Sequence, residues 1–354
     1  MQLKNYRSGA AKGYLAAERR RYEKGCERMK ATRESYGEAL EKLGKKNKDI
    51  VVLDADLAGA TMTKNFKALY PKRFFDMGIA EQDLIGTAAG FAIGGKIPFA
   101  STFAIFAAGR AYEQIRNAIA YPNLNVKIVA THAGLSVGED GASHQAIEDI
   151  SLMRTVPNMV VMSPCDDVET KWAIEEASKY KGPVYVRLTR PKVESIYGEN
   201  PELEIEENDE KQKSKDLKRN LKPKFEIGKM IVHGNGKDAT IFATGVEVQE
   251  ALKAKNELAK QNINVRVVDV HTIKPIDKET IIKCAKETDK FITIEDHSII
   301  GGLGSAICEV LSEEYPKKVI RMGVQDVFGT SGKWHELLEK YGLTAEEIIK
   351  KMKE

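Results

Sequence analysis

The chain has 354 residues, of which 42% are hydrophobic and 30% are charged, as in a soluble globular protein. This length allows two domains of ordinary size whose cores need no disulfide bonds. No apolar run approaches the roughly 20 residues of a membrane-spanning helix, so we expect no membrane insertion. The four cysteines are widely separated, which argues against a disulfide framework or a zinc site and favours a cytoplasmic protein.

A basic arm precedes the first periodic segment. Residues 1–28 contain eight Lys or Arg and three Glu, a net charge of +5 in a chain whose total is +3. The three glutamates argue against a transit peptide, and the lack of a known nucleic-acid-binding motif argues against nucleic-acid binding. We expect a solvated arm that the chemistry does not need, and Met29 could be the natural start.

Short apolar strands alternate with helices between residues 29 and 198. A helix is predicted from Thr32, which could be its N-cap, and a strand that is apolar up to its final Asp follows at Ile50–Asp54. Further strands are predicted at 126–131, 159–163 and 184–188, and helices at 66–69 and 168–179. This alternation predicts a doubly wound parallel sheet with helices on both faces. Active sites of such sheets lie beyond the carboxyl ends of the strands.

Residues 76–82, Asp-Met-Gly-Ile-Ala-Glu-Gln, place the carboxylate of Glu81 at a strand-to-helix junction. A short strand is predicted before this stretch, and a helix rich in Gly and Ala is predicted over 84–93. Acids at such junctions are commonly helix caps that the helix dipole stabilises. From position alone, Glu81 is therefore more simply a cap than a catalytic group.

Other candidate residues follow predicted strands. The polar, glycine-containing loop 132–145 carries His132, Asp140 and His144, and Arg190 follows the strand at 184–188. The histidine spacing of twelve matches no common zinc pattern, so we assign no metal ligand to this chain. Phe103 and Phe106, three apart at a predicted helix start, could sandwich an aromatic ring, although such pairs usually belong to a core.

The charged stretch within 199–228 predicts a solvated linker or insertion. A second, smaller α/β domain is predicted over 229–354, with strands at 239–243, 265–270 and 290–295, helices at 246–261 and 278–285, and a further helix that opens at the turn 300–305 and runs through Leu311. The glycine-rich turn 300–305 precedes the last helix. Its glycines are better explained by close strand-to-helix packing than by phosphate binding.

The chain resembles the carboxyl-terminal portion of a transketolase from about Thr32 to its end, apart from the charged insertion. The resemblance rests on these segments: Ala31-Thr-Arg33, Leu53-Asp-Ala-Asp56, Gly78-Ile-Ala-Glu81-Gln82, Ser101-Thr-Phe103, His132, Gly138-Glu-Asp-Gly-Ala-Ser-His144, Thr189-Arg190-Pro191, Val-Asp269-Val-His-Thr-Ile-Lys-Pro275 and Ile294-Glu-Asp-His297. It implies a pyrimidine-binding domain at 29–198 and a transketolase C-terminal domain at 229–354.

Transketolases use thiamine diphosphate, and the domain that holds the diphosphate and Mg²⁺ has no counterpart here. Its Gly-Asp-Gly signature is missing from the sequence. The resemblance therefore implies a split enzyme in which a separate amino-terminal subunit supplies the diphosphate site and the Mg²⁺ ligands. We expect two copies of each subunit, and we expect this chain to be inactive alone.

By the same resemblance, Glu81 is the acid that bonds to the pyrimidine ring nitrogen and activates the cofactor. Phe103 and Phe106 would form an aromatic wall, and Asp56 an acid near the cofactor. The phosphate-end contacts of sugar phosphates would be Arg33, His132 and Arg190, while Asp140 would bind a substrate hydroxyl and His144 would act near the reacting carbon. Ala60 or Thr61 takes the place of a Ser found in many members.

The implied reaction is reversible transfer of a two-carbon ketol unit between sugar phosphates, as in the pentose phosphate pathway. Two alternatives use the same cofactor: a 1-deoxyxylulose-5-phosphate synthase and the beta subunit of a 2-oxo-acid dehydrogenase. An alternative of another class is an inert scaffold or regulatory subunit, whose working parts would be the arm and the insertion.

Overall fold

The computed structural model describes residues 29–197 and 224–354. The predicted arm at 1–28 and most of the predicted linker, residues 199–223, lie outside the described residues. Among those described, no helix combines the length and apolar composition that crossing a membrane requires.

The described strands form three sheets. In chain order the strands are β1 Met29–Ala31, β2 Ile50–Asp54, β3 Phe74–Asp76, β4 Ile97–Phe103, β5 Lys127–Thr131, β6 Val160–Met162, β7 Val184–Arg187, β8 Lys192–Glu194, β9 Ile231–His233, β10 Ala239–Ala243, β11 Val265–Asp269, β12 Thr272–Lys274, β13 Phe291–Ser298 and β14 Val319–Val324.

Helices cover both faces of the two larger sheets. The α-helices are α1 Thr32–Lys46, α2 Ala58–Thr61, α3 Lys64–Leu69, α4 Glu81–Ile93, α5 Tyr112–Gln114, α6 Asp149–Thr155, α7 Asp167–Lys179, α8 Glu247–Ala259, α9 Lys278–Glu287, α10 Leu303–Glu314, α11 Trp334–Lys340 and α12 Ala345–Lys353. Short 3₁₀ turns lie at Pro71–Arg73 and Leu135–Val137, and π-helical turns lie at Ile105–Arg110 and Ile115–Ala120.

The first sheet has seven strands in the order β12-β6-β7-β5-β4-β2-β3. Its neighbours pair in parallel except at the edge, where β12 is antiparallel to β6. Residues of β2 alternate between two buried clusters: Val51 and Leu53 face one and Ile50 and Val52 face the other. This alternation buries both faces and explains why residues 50–53 of the strand are all apolar.

The second sheet has five strands in the order β14-β13-β10-β11-β9, with only β9 antiparallel. One buried cluster contains residues of both sheets, for example Leu53 and Phe242, so the two units share a core. The predicted α/β class with two doubly wound sheets is confirmed. However, β12 comes from the predicted second unit but belongs to the first sheet, where it pairs with β6. Sequence periodicity does not reveal such a non-local pairing.

Two local predictions were wrong. Thr32 is the first residue of α1 rather than its N-cap, which is Ala31, and the Thr32 hydroxyl hydrogen bonds to Thr189 instead. Phe103 ends β4 rather than starting a helix. The strand residues Ala100, Ser101 and Thr102 are small or polar. They form a buried strand because β4 pairs with β2 and β5 on either side, rather than because of the intrinsic strand preference of these residue types.

Candidate active site

Glu81 is the first residue of α4, five residues after the last residue of β3. Its side chain is only 2% exposed, and its Oε2 accepts a 2.8 Å hydrogen bond from Nη1 of Arg110. Within the described residues this is the one hydrogen bond that the carboxylate accepts. The position at a helix start fits the helix dipole, but the burial and the arginine partner distinguish Glu81 from a solvated cap.

Arg110, which the sequence did not point to, ends the π-helical turn after β4. Its side chain is 49% exposed, and its guanidinium carbon lies 4.6 Å from the centroid of the Phe106 ring. Its backbone carbonyl also accepts a bond from the Gln82 side chain. A contact between residues 29 apart leaves no periodic signal; an arginine within an apolar, alanine-rich segment was the available hint.

Four aromatic side chains form a continuous group next to this pair. The rings of Phe103 and Phe106 are nearly parallel with centroids 5.9 Å apart, and Phe103 also stacks on His132 at 4.0 Å. His144 meets Phe106 edge-on at 5.5 Å. A ring between two others needs about 7–8 Å in total, so Phe103 and Phe106 do not form the predicted sandwich here; a ligand ring would lie against the group.

His132 is buried and adopts a left-handed backbone conformation, with φ of 57°. Such a conformation is uncommon outside glycine and often marks a functional position. Its Nδ1 lies 2.9 Å from the Thr131 hydroxyl. Burial, followed by the positive charges of Arg33 and Arg190, lowers the pKa of His132 to about 3. The imidazole is therefore neutral near pH 7, where it can donate or accept a hydrogen bond.

Arg33 and Arg190 bring positive charge to this edge of the sheet. Arg33 donates to the carbonyl of Ala60 at 2.8 Å, and its buried Nε has no partner within the described residues. Burial and the nearby Arg190 lower the pKa of Arg33. Since its hydrogen-bond partner is a neutral carbonyl, the guanidinium keeps a free buried donor, which suits an anionic ligand.

Arg190 also contacts the loop that carries the predicted substrate residues. Its Nη1 donates to the Val137 carbonyl at 2.6 Å and to Glu139 at 3.1 Å, and it lies 3.8 Å from Asp140. Arg190 and Asp140 are both partly exposed. The predicted residues Arg33, His132, Asp140, His144 and Arg190 therefore lie around one region.

Asp56 lies at the end of β2, exposed, with φ of 59°. Its backbone N–H donates to Asp76, which ends the neighbouring strand; no described contact joins its side chain to the aromatic group. The buried acid here is Asp54, which accepts hydrogen bonds from the hydroxyls of Thr61 and Thr63. Burial raises the pKa of Asp54 to about 6.

Ala60 and Thr61, the two candidates for the position of the family serine, both have partners within this chain. The Thr61 hydroxyl is fully buried and donates to Asp54 at 2.7 Å, so it is already engaged. Ala60 offers its carbonyl to Arg33. Neither residue presents a free hydroxyl to the arginines in this arrangement.

A buried ionic network that sequence reasoning missed fixes the 132–145 loop. Asp296 accepts hydrogen bonds from the backbone N–H groups of Leu135 and Ser136 at 2.7 and 3.1 Å. Arg187 donates to the carbonyl of Asp296 at 2.8 Å and pairs with Asp149 at 2.9 Å. Residues of the second sheet thus position a loop of the first.

The glycine-rich turn before α10 has a structural role. The N–H groups of Leu303 and Gly304 donate to the carboxylate of Glu295 at 2.6 and 2.8 Å. A Cβ added at Gly302 would lie 2.0 Å from that carboxylate. The helix start is occupied by the chain's own acid, as the packing interpretation predicts.

A second buried acidic group lies away from this region. Ligand atoms of Cys165, Glu169 and Asp269 all lie within 4.8 Å of one another. Asp269 accepts hydrogen bonds from the Cys165 thiol at 3.4 Å and the Tyr197 hydroxyl at 2.6 Å, and Glu169 accepts one from the Cys165 N–H. Burial and the mutual repulsion of Glu169 and Asp269 raise the pKa of Glu169 well above its usual range.

With this geometry in view, two family models match the chain. "Transketolase, pyrimidine binding domain" matches residues 28–195, and "Transketolase, C-terminal domain" matches residues 228–348. A Methanocaldococcus jannaschii protein, provisionally assigned as a transketolase C-terminal section, is 53% identical over 92% of this chain and 96% of its own length. The chain therefore belongs to the transketolase family.

Other relatives define its relation to whole enzymes. A 6-deoxy-6-sulfo-D-fructose transketolase subunit of Clostridium sp. is 41% identical over 90% of this chain and 92% of its own length. Rat transketolase is 38% identical over 91% of this chain but only 48% of its own length. A solved split-gene transketolase, described as an inactive beta4 tetramer, superposes with a TM-score of 0.79 at 50% identity, covering 91% of this chain and 97% of that one.

The residues at this edge fit the aminopyrimidine part of thiamine diphosphate, the cofactor of this family. Glu81 is buried and has a second carboxylate oxygen, Oε1, to which no described residue donates. Phe106 is only partly buried and lies beside it, linked through Arg110. An acid and an aromatic face at one site match a flat heteroaromatic ring with a nitrogen at its edge.

Proposed function

We propose that this chain is the carboxyl-terminal subunit of a thiamine-diphosphate-dependent transketolase, comprising a pyrimidine-binding domain at 29–198 and a C-terminal domain at 229–354. It would catalyse reversible transfer of a two-carbon ketol unit between sugar phosphates, together with a separate amino-terminal subunit. The observation that carries the proposal is the juxtaposition of the buried acid Glu81 and the aromatic group with the positive cluster of Arg33 and Arg190.

In this proposal, Glu81 bonds to a nitrogen of the pyrimidine ring and holds or shares a proton there. Phe106, with Phe103 behind it, supplies the apolar surface against which the ring lies. When bound, the cofactor supplies the carbanion chemistry of ketol transfer, while the protein orients and polarises it. Asp56, at the end of β2, would lie near the cofactor.

Arg33, His132 and Arg190 would bind the anionic end of the sugar. The free Nε of Arg33 and the half-buried position of both arginines support this role. Asp140, which lies beside Arg190, would accept a hydrogen bond from a substrate hydroxyl. His144, which contacts Phe106 edge-on, would donate a proton to groups near the reacting carbon or accept a proton from them.

The need for a second subunit is supported by the share of each relative's length that this chain covers. The chain spans nearly the whole length of split relatives and about half of rat transketolase. We infer that the amino-terminal subunit holds the diphosphate through Mg²⁺, that two copies of each subunit assemble, and that the enzyme works in the cytoplasm in the pentose phosphate pathway. The sulfosugar and apulose 4-phosphate transketolase subunits among the relatives act on other anionic sugars.

Reconstitution tests this function. The chain would be mixed with its amino-terminal subunit, thiamine diphosphate and Mg²⁺, and transfer from xylulose 5-phosphate to ribose 5-phosphate would be followed. We expect activity only with both subunits, and a loss of at least about 100-fold in Glu81→Gln.

The matched control is Asp83→Asn, an exposed acid on the same helix turn, which should retain activity. Full activity in Glu81→Gln would contradict the proposal, as would the absence of transfer by the wild-type pair. Parallel assays with 6-deoxy-6-sulfofructose as donor would show whether the positive cluster prefers a sulfonate to a phosphate.

A further inference from the structure

The side chain of Arg110 contacts the two groups that a pyrimidine ring would need, the Glu81 carboxylate and the Phe106 ring. One of its guanidinium nitrogens lies 2.8 Å from Oε2 of Glu81, and the guanidinium carbon lies 4.6 Å from the centroid of Phe106. Cation–π contact and ion pairing stabilise this arrangement together. A ring stacked on Phe106 with its nitrogen at Glu81 would compete with the guanidinium for the same space.

The charge state of the acid adds to this competition. A guanidinium pairs with the ionised form of a carboxyl group. A ring nitrogen that accepts a hydrogen bond requires a carboxyl group that carries a proton. A guanidinium and a ring nitrogen therefore cannot both bond to the same carboxylate oxygen in the same way.

The placement of Arg110 allows it to move. Half of its side chain is exposed, whereas Glu81 is buried at the helix start. A long, half-exposed arginine can reorient into solvent at small cost, while the first residue of α4 is fixed by the helix. The π-helical turn that ends at Arg110 contains an extra residue per turn, a feature found frequently at functional sites.

We propose that Arg110 is a positioning residue that holds Glu81 and covers Phe106 until the aminopyrimidine ring displaces it. This inference rests on the proposed role of Glu81. The guanidinium keeps the buried acid paired in the subunit without cofactor, so the acid is not left alone in an apolar environment. The closed form is the one in which Arg110 contacts Glu81 and Phe106. The apparent association constant for the ring is therefore the intrinsic constant multiplied by the fraction of molecules that are not closed.

Calorimetric titration of the chain alone with thiamine tests the proposal, because thiamine has the aminopyrimidine ring but lacks the diphosphate that the other subunit would hold. Arg110→Met removes the charge and keeps an apolar side chain of similar length. If about nine molecules in ten are closed, this variant should bind thiamine roughly 10-fold more tightly than the wild type.

The matched control is Arg116→Met, an exposed arginine six residues further on whose side chain bonds to Asn117 rather than to Glu81. It should bind thiamine as the wild type does. In the double variant Arg110→Met, Glu81→Gln the gain should disappear, since the released acid is its cause. A thermal melt of each variant would confirm that the proteins are folded.

Equal or weaker binding by Arg110→Met, including undetectable binding by both proteins, would overturn the proposal. Tighter binding that persists in the double variant would show that Arg110 acts only by covering Phe106 and would overturn its link to Glu81. These outcomes are separate from the reconstituted activity: tighter thiamine binding without ketol transfer would contradict the proposed function and leave the role of Arg110 standing.

Discussion

Two ion pairs of this protein have similar distances between their charged atoms but differ in how far their side chains are exposed to solvent. Glu81 and Arg110 meet at 2.8 Å with side chains that are 2% and 49% exposed, whereas Asp149 and Arg187 meet at 2.9 Å with exposures of 0% and 2%. In the second pair Asp149 also accepts a hydrogen bond from the Tyr185 hydroxyl, and Nη2 of Arg187 donates to the backbone carbonyls of Ala146 and Asp296. In the first pair Oε1 of Glu81 accepts no hydrogen bond from a described residue, and half of the Arg110 side chain is exposed.

The difference separates a structural pair from one that can change partners. A fully buried pair is closed to other partners, so removing one member leaves the other charge buried without it. A pair that is open on one side can exchange the arginine for another group. The closed pair holds the 132–145 loop through Asp296, and the open pair lies where a ligand is proposed.

The largest effect is expected at the closed pair. Asp149→Asn would leave the buried Arg187 guanidinium without its directly paired carboxylate, and the free energy of unfolding should fall by about 3–5 kcal/mol. Urea denaturation would measure this fall. Glu313→Gln, which disturbs the exposed pair with Lys278, should give no measurable change. A similarly small effect of Asp149→Asn would mean that the pair does not hold the loop.

The positive cluster should show the next largest effect. Arg33→Met removes a charge-assisted hydrogen bond to the substrate, worth about 1.5–3 kcal/mol, so KM for xylulose 5-phosphate should rise about 10–100-fold. The rate constant kcat should change less, because the phosphate lies away from the reacting carbon. Arg33→Lys should recover part of the affinity, and Lys192→Met, at an exposed position, should match the wild type. An unchanged KM in Arg33→Met would exclude Arg33 from the phosphate site.

A pH-dependent effect is expected at Glu295. Burial raises the pKa of Glu295 to about 7. A carboxyl group whose pKa is higher in the folded state stabilises the fold at low pH, and this stabilisation is lost as the pH rises through about 7. The wild type should therefore lose stability relative to Glu295→Gln between pH 5 and pH 8. Denaturant midpoints at both pH values would show this; a constant difference would contradict the assignment.

The smallest effect is expected at Thr61. Thr61→Val removes the hydroxyl that donates to Asp54 and should lower the free energy of unfolding by about 1 kcal/mol. KM for the sugar phosphates should stay unchanged, since the hydroxyl points to Asp54 rather than to the arginines. A rise in KM without loss of stability would instead assign Thr61 to the phosphate site.

The sequence predicted those features that depend on local patterns. The strands Ile50–Asp54 and Ala239–Ala243 were predicted with their bounds as found, because both are apolar runs followed by polar or glycine residues. The junction at Glu81 was recognised for the same reason, although α4 begins three residues earlier than predicted.

Non-local features could not be predicted in this way. The Glu81–Arg110 contact, the Asp296 bonds to the 132–145 loop and the pairing of β12 with β6 each join distant segments. Phe103 was placed on a helix because its strand is rich in small and polar residues and is defined by its neighbours. The residue types of the site were visible in the sequence, but their partners were not.

We propose that Glu81 supplies the acid half of a cofactor site shared with another subunit. The most direct test of this proposal is the rate at which the C2 proton of thiamine diphosphate exchanges with deuterium, measured by NMR after rapid quenching, in the presence of both subunits and Mg²⁺. We expect the wild-type chain to accelerate exchange at least about 100-fold over free cofactor, and we expect Glu81→Gln to abolish this acceleration. Equal exchange rates with the wild type and Glu81→Gln would contradict it.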